Sequence, residues 1–155
     1  MMIIRTATKK DIPELTVLFT ELLKQHQTYP NYPQLHKNLA SRMNSFVKKE
    51  MAKSRTKFFI AEVDKKVIGF MIAYTLKRPA MYQSRRFGWI EGIVAKEYRR
   101  KGIGESLTKE ALKWLKKKGV KRVELEVNVK NEKGINAWVK YGFKEYEMIL
   151  YKSLE

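Results

Sequence analysis

The stretch from residue 89 to residue 118, WIEGIVAKEYRRKGIGESLTKEALKWLKKK, admits very few folds. An apolar run, Trp89 to Ala95, stops at the polar turn Lys96-Glu97-Tyr98. Three cations follow, Arg99, Arg100 and Lys101, and then Gly102 and Gly104. Ile103, Leu107, Ala111 and Leu115 recur on one stripe, with Leu112 and Trp114 at its edges and Lys109, Lys113, Lys116 and Lys117 outside it. This spacing predicts a strand that runs through a short basic loop straight into a long amphipathic helix.

The first turn of a helix has unpaired N–H groups and a partial positive charge, so it suits an anion. Glycine allows positive φ and lets a ligand approach the backbone with no Cβ in the way. With the flanking cations, the loop reads as a phosphate cradle; the alternative is a helix start with surface cations. Two familiar cradles are excluded. No Gly-Lys-Ser/Thr follows Gly102, and a GxGxxG fingerprint would need glycine where Leu107 stands.

At 155 residues the chain fits one domain, 1–155, with one substantial core. No apolar run is long enough to span a membrane, and the N-terminus MMIIRTATKKD has no signal-like apolar stretch. It reads instead as a strand, and the expected location is cytoplasmic. The absence of cysteine excludes disulfides, thiol nucleophiles and thiolate metal sites. His26 and His36 have no carboxylate spacing that suggests a metal. Lys and Arg number 33 against 16 Asp and Glu, spread over every segment. A lysine-rich solvated surface accounts for this first, and attraction of an anionic cofactor second; a nucleic-acid surface would gather the cations into one tract.

The rest of the chain surrounds that central stretch. Met2 to Ala7 reads as a strand, and Thr8, Asp11 and Pro13 start a helix carrying Ile12, Leu15, Leu18, Phe19, Leu22 and Leu23. His26 to Pro33, with two prolines and two tyrosines, is irregular and fits either a ligand-lining loop or turn packing. A second helix buries Leu35, Leu39, Met43, Phe46, Val47 and Met51. Lys57–Val63 and Val67–Leu76 form a hairpin about Asp64-Lys65-Lys66, and Lys77 to Arg86 is a polar loop. Gly119 closes the long helix. Arg122–Val129 alternates as a strand, Asn131–Tyr141 is a short helix closed by Gly142, and Phe143–Leu154 supplies the last strand or strand pair. The expected fold is α+β: a single domain with a mixed, mostly antiparallel sheet and helices on both faces.

This order, with Ile90-Glu91-Gly92-Ile93-Val94, Tyr98-Arg99-Arg100-Lys101-Gly102-Ile103-Gly104, Leu125-Glu126-Val127 and Asn131 through Ala137 to Tyr141-Gly142-Phe143, resembles the GNAT superfamily of N-acetyltransferases. The order of elements covers the whole chain; the specific blocks span Ile90 to Phe143. Asn131 stands twelve residues before Phe143, as in the family pattern.

The resemblance implies acetyl-coenzyme A as cofactor. Backbone groups near Ile93 and Val94 would pair with the pantetheine arm where the central strand splays from the next, and Gly92 would mark a bulge. Amides of Arg100, Lys101, Gly102, Ile103 and Gly104 would hold the pyrophosphate, with charge from Arg99 and Lys101; Glu105 and Ser106 lie in the same turn. Asn131 and Trp138 would lie near the cofactor. Glu91 would be the general base that frees the acceptor amine, against the plainer reading of a solvated strand carboxylate paired with a lysine. Backbone N–H near Val94 would hold the oxyanion.

The family tyrosine that protonates the leaving thiolate is replaced by Trp138, whose indole is no acid. Tyr141 and Tyr146 are stand-ins that fit packing equally well, so the general acid stays unassigned. Three functions follow: an acetyl-CoA-dependent N-acetyltransferase acting on a primary amine of a small molecule or of a peptide or protein; a non-catalytic CoA- or acyl-CoA-binding module of the same fold; or a basic nucleic-acid-associated protein. A cationic rim would disfavour polyamines and tolerate neutral or acidic acceptors. Oligomeric state is open, a homodimer included.

Overall fold

The computed structural model describes all 155 residues. Its centre is a five-stranded sheet in the order β1 (Met2–Thr6), β2 (Thr56–Val63), β3 (Lys66–Lys77), β4 (Arg86–Val94) and β5 (Val123–Glu124). The first four strands pair antiparallel; β4 and β5 are parallel. The β2–β3 hairpin turns on Asp64 and Lys65, at φ 49° and 66°. Two consecutive positive φ values match the right-handed twist of the strands they join. Four helices complete the chain: α1 (Ile12–Gln27), α2 (Leu39–Met51), α3 (Ile103–Lys117) and α4 (Glu132–Lys140).

Strand alternation divides the core in two. On one face Phe58, Ile60, Phe70, Ile72 and Ile93 meet Leu15, Leu18, Phe19 and Leu22 of α1 and Met43 and Val47 of α2. On the other, Phe59, Ala61, Met71, Ala73 and Ile90 meet Ile103, Leu107, Ala111 and Leu115 of α3, with Trp138 and Phe143 packed at the margin. The expected α+β sheet with helices on both faces is therefore present, and the stripe read for α3 is its buried side.

The second half of the chain departs from the expected strands. Of Arg122–Val129, only Val123 and Glu124 pair, with Gly88 and Trp89. Phe143–Leu154 forms no strand, and everything from Lys144 onward is exposed. An alternating pattern makes a strand only if a neighbour supplies the ladder, and this chain supplies none there. Smaller shifts occur at helix ends: α1 runs past His26 to Gln27, α2 starts at Leu39 so that Leu35 precedes it, and α4 occupies Glu132–Lys140. β4 keeps unbroken register with β3, so Gly92 marks no bulge there; the irregularity is in β2, between Ala61 and Glu62. Gly92 is needed for a different reason, since an added Cβ would overlap the Phe70 carbonyl oxygen across the ladder.

An ionic clasp fixes α1 to the sheet. Arg5 of β1 donates to both oxygens of buried Asp11 at 2.8 and 2.9 Å, and to Glu62 of β2 at 2.6 Å. Asp11 also accepts from the Thr8 amide at 2.6 Å. The Arg5 hydrogen bonds hold the Asp11 carboxyl down at about 2. Because the folded pKa is depressed, this stabilisation is complete above the unfolded value near ~4 and is lost as pH falls toward the folded value, a contribution of up to about 2 kcal/mol. Thermal melts of Asp11→Asn should therefore lie below wild type at pH 7, and the gap should narrow as pH is lowered from 4 to 2. A gap that stays constant over that range would contradict the assignment.

Candidate active site

β4 is bordered by β3 along its whole length but by β5 only at Gly88 and Trp89. Beyond that point the two strands part. The Gly88 amide donates to Arg122 O at 2.8 Å, and the Ala95 amide donates to Ile68 O at 2.8 Å. Backbone groups alternate sides along a strand, so Ile90, Gly92 and Val94 turn their N–H and C=O to the β5 side; the pairing of Trp89 with Glu124 takes up the Ile90 N–H, and Gly92 and the Val94 N–H face the gap. Ile93 turns its own toward β3. Of the two residues expected to meet a cofactor arm through the backbone, Val94 has the right direction and Ile93 does not.

At the end of β4 the chain makes a short 3₁₀ turn at Lys96–Tyr98 and enters the basic loop. Arg100 and Gly102 adopt φ of 60° and 75°. These left-handed conformations curl the backbone so that the amides of Arg100, Lys101, Gly102, Ile103, Gly104 and Glu105 donate to no acceptor in the protein. They converge at the start of α3, an arrangement of unpaired donors that suits an anion. Ser106 is not part of it: its amide and hydroxyl both donate to the Gly102 carbonyl at 3.0 Å. The Glu105 carboxylate turns away to Lys109 at 2.9 Å. Arg99 bends back, donating from Nε to the Val94 carbonyl at 2.7 Å, and its buried Nη2 has no partner. A buried guanidinium nitrogen left unpaired beside unpaired amides is a site built for an anionic group. Gly104 keeps the approach tight, because a Cβ there would stand 3.4 Å from the Tyr141 hydroxyl.

Glu91 lies on the α1/α2 face of β4, with the parity of Ile93 and opposite to Ile90. Tyr74 of β3, one step diagonal to it, donates its hydroxyl to Glu91 Oε1 at 2.9 Å. Glu91 has no salt bridge despite the abundance of lysine. Burial raises its pKa; the Tyr74 hydrogen bond opposes that, while the charges of Glu126 and Glu50 add to it. Burial and the Glu91 charge push the Tyr74 hydroxyl up as well, so it remains a proton donor to the carboxylate. Glu124 and Glu126 share this face, since Val123 and Leu125 pack toward α3. Glu124 is neutralised by Arg78 and Arg122, whereas Glu126 is exposed and unpaired. Tyr32, on the loop between α1 and α2, is half-buried and senses both Glu91 and Glu126. Tyr74 and Glu126 are not legible as site residues from the sequence, because only strand register and parity bring them to Glu91, whereas Tyr32 belongs to the loop that fits a ligand-lining role.

The remaining candidates lie elsewhere. Asn131 caps α4, accepting from the Gly134 amide at 3.0 Å. Trp138 packs edge-on against Tyr141 and Phe143, with centroids 5.8 and 5.5 Å away. Tyr141 stands at the start of α3, and burial raises its pKa. Tyr146 is exposed under the Arg122 guanidinium, beside Gly88 rather than Glu91. No cluster of His, Cys, Asp or Glu suits a metal ion.

A strand that opens from its neighbour, feeding a cradle of free amides, has a counterpart among known families. The family profile described as Acetyltransferase (GNAT) family matches residues 17–143. The chain belongs to the GNAT family. An uncharacterised N-acetyltransferase of Methanocaldococcus jannaschii is 30% identical over 147 residues, covering 94% of this chain and 62% of that protein. An N-alpha-acetyltransferase of Sulfurisphaera tokodaii is 36% identical over 101 residues, 59% of either protein. The chain thus spans about three fifths of the length of both relatives. A crystal structure described as a predicted acetyltransferase with acetyl-CoA, from Clostridium acetobutylicum, superposes with a TM-score of 0.81 at 21% identity, covering 99% of this chain and 97% of that one. The last comparison shows that the GNAT fold extends over the full chain.

Tyr74→Phe removes the one hydrogen bond that lowers the Glu91 pKa. Carboxyl ¹³C titration of this GNAT chain should show the Glu91 midpoint higher in Tyr74→Phe than in wild type. An unchanged or lower midpoint would mean that the tyrosine does not set the charge of Glu91.

Proposed function

We propose that the chain, acting as one domain over residues 1–155, transfers an acetyl group from acetyl-coenzyme A to a primary amine of a small molecule, peptide or protein, with Glu91 as general base. One observation carries this reading. Six consecutive unpaired amides at the start of α3 adjoin the open edge of β4, and Glu91 on that strand is a half-buried carboxylate with no cationic partner. The unpaired Arg99 Nη2 and the clearance over Gly102 fit an anionic diphosphate against that loop.

Acetyl-coenzyme A supplies an activated acyl carbon on a thiolate leaving group. The protein's part is to bind, orient and move one proton. Amides of Arg100–Glu105 hold the diphosphate, and the outward groups of Gly92 and Val94 align the arm along β4. The Val94 amide points into the gap, where it stabilises negative charge on the acyl oxygen; a well-aligned donor of this kind is worth roughly 3–4 kcal/mol. Glu91, made more basic by burial and by Glu126, accepts the proton from the incoming ammonium directly or through one water. Tyr74 fixes which carboxylate oxygen is free for that step. The general acid is unassigned: Trp138 has no acidic proton, and Tyr141 stands at the α3 end of the site. A thiol pKa of ~8.5 lets coenzyme A depart as thiolate. The N-alpha-acetyltransferase name of the S. tokodaii relative favours a peptide α-amine as acceptor, with Tyr32 and its loop bordering the amine side.

Glu91→Gln should lower kcat by about 10²–10⁴-fold in a thiol-release assay with an α-amine peptide or small amine, while calorimetric affinity for coenzyme A stays within about twofold. Turnover close to wild type would refute the base; loss of cofactor affinity together with activity would make Glu91 a structural residue.

A further inference from the structure

Tyr141 ends α4 in a place fixed from two directions. Its amide donates to Ala137 O and Trp138 O at 3.0 and 3.1 Å, the Gly142 amide to Val139 O and the Phe143 amide to Trp138 O, both at 3.0 Å. With Gly142 at φ 95°, this is the left-handed reversal that closes a helix and fixes the residue before it. The ring is held as well. It stands edge-on to Trp138 at 5.8 Å, and Trp138 is braced edge-on by Phe143 at 5.5 Å. Trp138 and Phe143 pack in turn on the α3 side of the core. With backbone and ring both set, the hydroxyl has one place to go.

That place is the junction of strand and cradle. The hydroxyl stands 3.4 Å from the position a Cβ on Gly104 would take, and the next atom from that position is Val94 Cγ2 at 3.9 Å. Val94 is the last residue of β4, and the Gly104 amide is one of the six unpaired donors. The hydroxyl has no hydrogen-bond partner in the protein. Thr108 Oγ1 takes the Gly104 carbonyl at 2.7 Å, and Lys109 takes the Glu105 carboxylate. Phenylalanine would pack on Trp138 equally well, so packing leaves the oxygen unexplained. Burial and the Glu105 charge raise the Tyr141 pKa, which keeps the group a donor at neutral pH. The same shift makes it a poor source of a proton for a thiolate, whose conjugate acid has a pKa of ~8.5.

We propose that the Tyr141 hydroxyl is a cofactor contact, donating to a diphosphate oxygen of the coenzyme A thioester and adding a side-chain donor from α4 to a cradle otherwise made of backbone amides and Arg99. This rests on the reading of residues 100–105 as the diphosphate site. A hydrogen bond to a charged oxygen is stronger than one between neutral groups. The hydroxyl therefore discriminates thioesters that carry the diphosphate from those built on pantetheine alone.

Calorimetry of wild type and Tyr141→Phe with coenzyme A reads the contact without turnover. The variant should bind about 10–100-fold more weakly, with a melting temperature matching wild type because the ring still packs on Trp138. Pantetheine, which shares the arm and lacks the diphosphate, should bind both proteins equally when followed by ¹⁵N amide shifts. Equal affinity of both proteins for coenzyme A overturns the proposal; if turnover falls all the same, the hydroxyl serves the proton transfer instead. An equal loss for coenzyme A and pantetheine overturns it too, placing Tyr141 against the arm or in a structural role. A wild type that binds no coenzyme A removes the diphosphate site itself, and the proposal with it.

Discussion

β4 and β5 share only two paired positions before they separate, and the candidate site depends on that separation. Parallel neighbours ordinarily continue their ladder until one strand ends. Here β4 continues to Val94 while its partner stops pairing at Glu124, so Gly92 and the Val94 amide face open space with unpaired backbone groups. Such groups cost energy unless water or a ligand satisfies them. β4 can tolerate the exposure because its other edge is bonded to β3 throughout and its two faces are buried under α1 and α3. The gap is thus a rigid opening, and it leads to the free amides at the start of α3.

Charge placement follows from the same geometry. In a chain with twice as many cations as anions, the carboxylates packed on the sheet have basic partners: Asp11 and Glu62 with Arg5, Glu50 with Lys53, Glu124 with Arg78 and Arg122. Glu91 and Glu126 lie on either side of the gap and have none. Keeping lysine away from a buried carboxylate raises its pKa and preserves its capacity to take a proton. The cations near the loop do the opposite work, with Arg99 turned inward to the Val94 carbonyl and one nitrogen left without a partner. Negative potential on the acceptor side and positive potential on the diphosphate side are what the proposed transfer requires.

Much of this was readable from the chain alone, where a local pattern suffices. The α3 stripe, the turn at Asp64-Lys65 and the left-handed glycine at 102 depend on neighbours a few residues away and took the expected form, whereas Gly104 lies within α3 without a positive φ. Failures came where the outcome depends on a distant or absent partner. Arg122–Val129 and Phe143–Leu154 alternate as strands do, yet pairing needs an edge within reach, which propensity cannot report. The Tyr74–Glu91 hydrogen bond joins residues whose meeting depends on β3–β4 register, and Glu126 reaches the same face through the β4–β5 alignment. Ser106 looked like a phosphate ligand by position, but helix geometry commits its amide and hydroxyl to Gly102.

The central claim is that the amides of Arg100–Glu105 are the anion-binding surface of a coenzyme A site. Titrating ¹⁵N-labelled protein with coenzyme A and following backbone amide shifts tests this directly. Saturable shifts largest at residues 100–105, with smaller ones at Gly92 and Val94, are the predicted result. No saturable binding, or largest shifts remote from the start of α3, would contradict it.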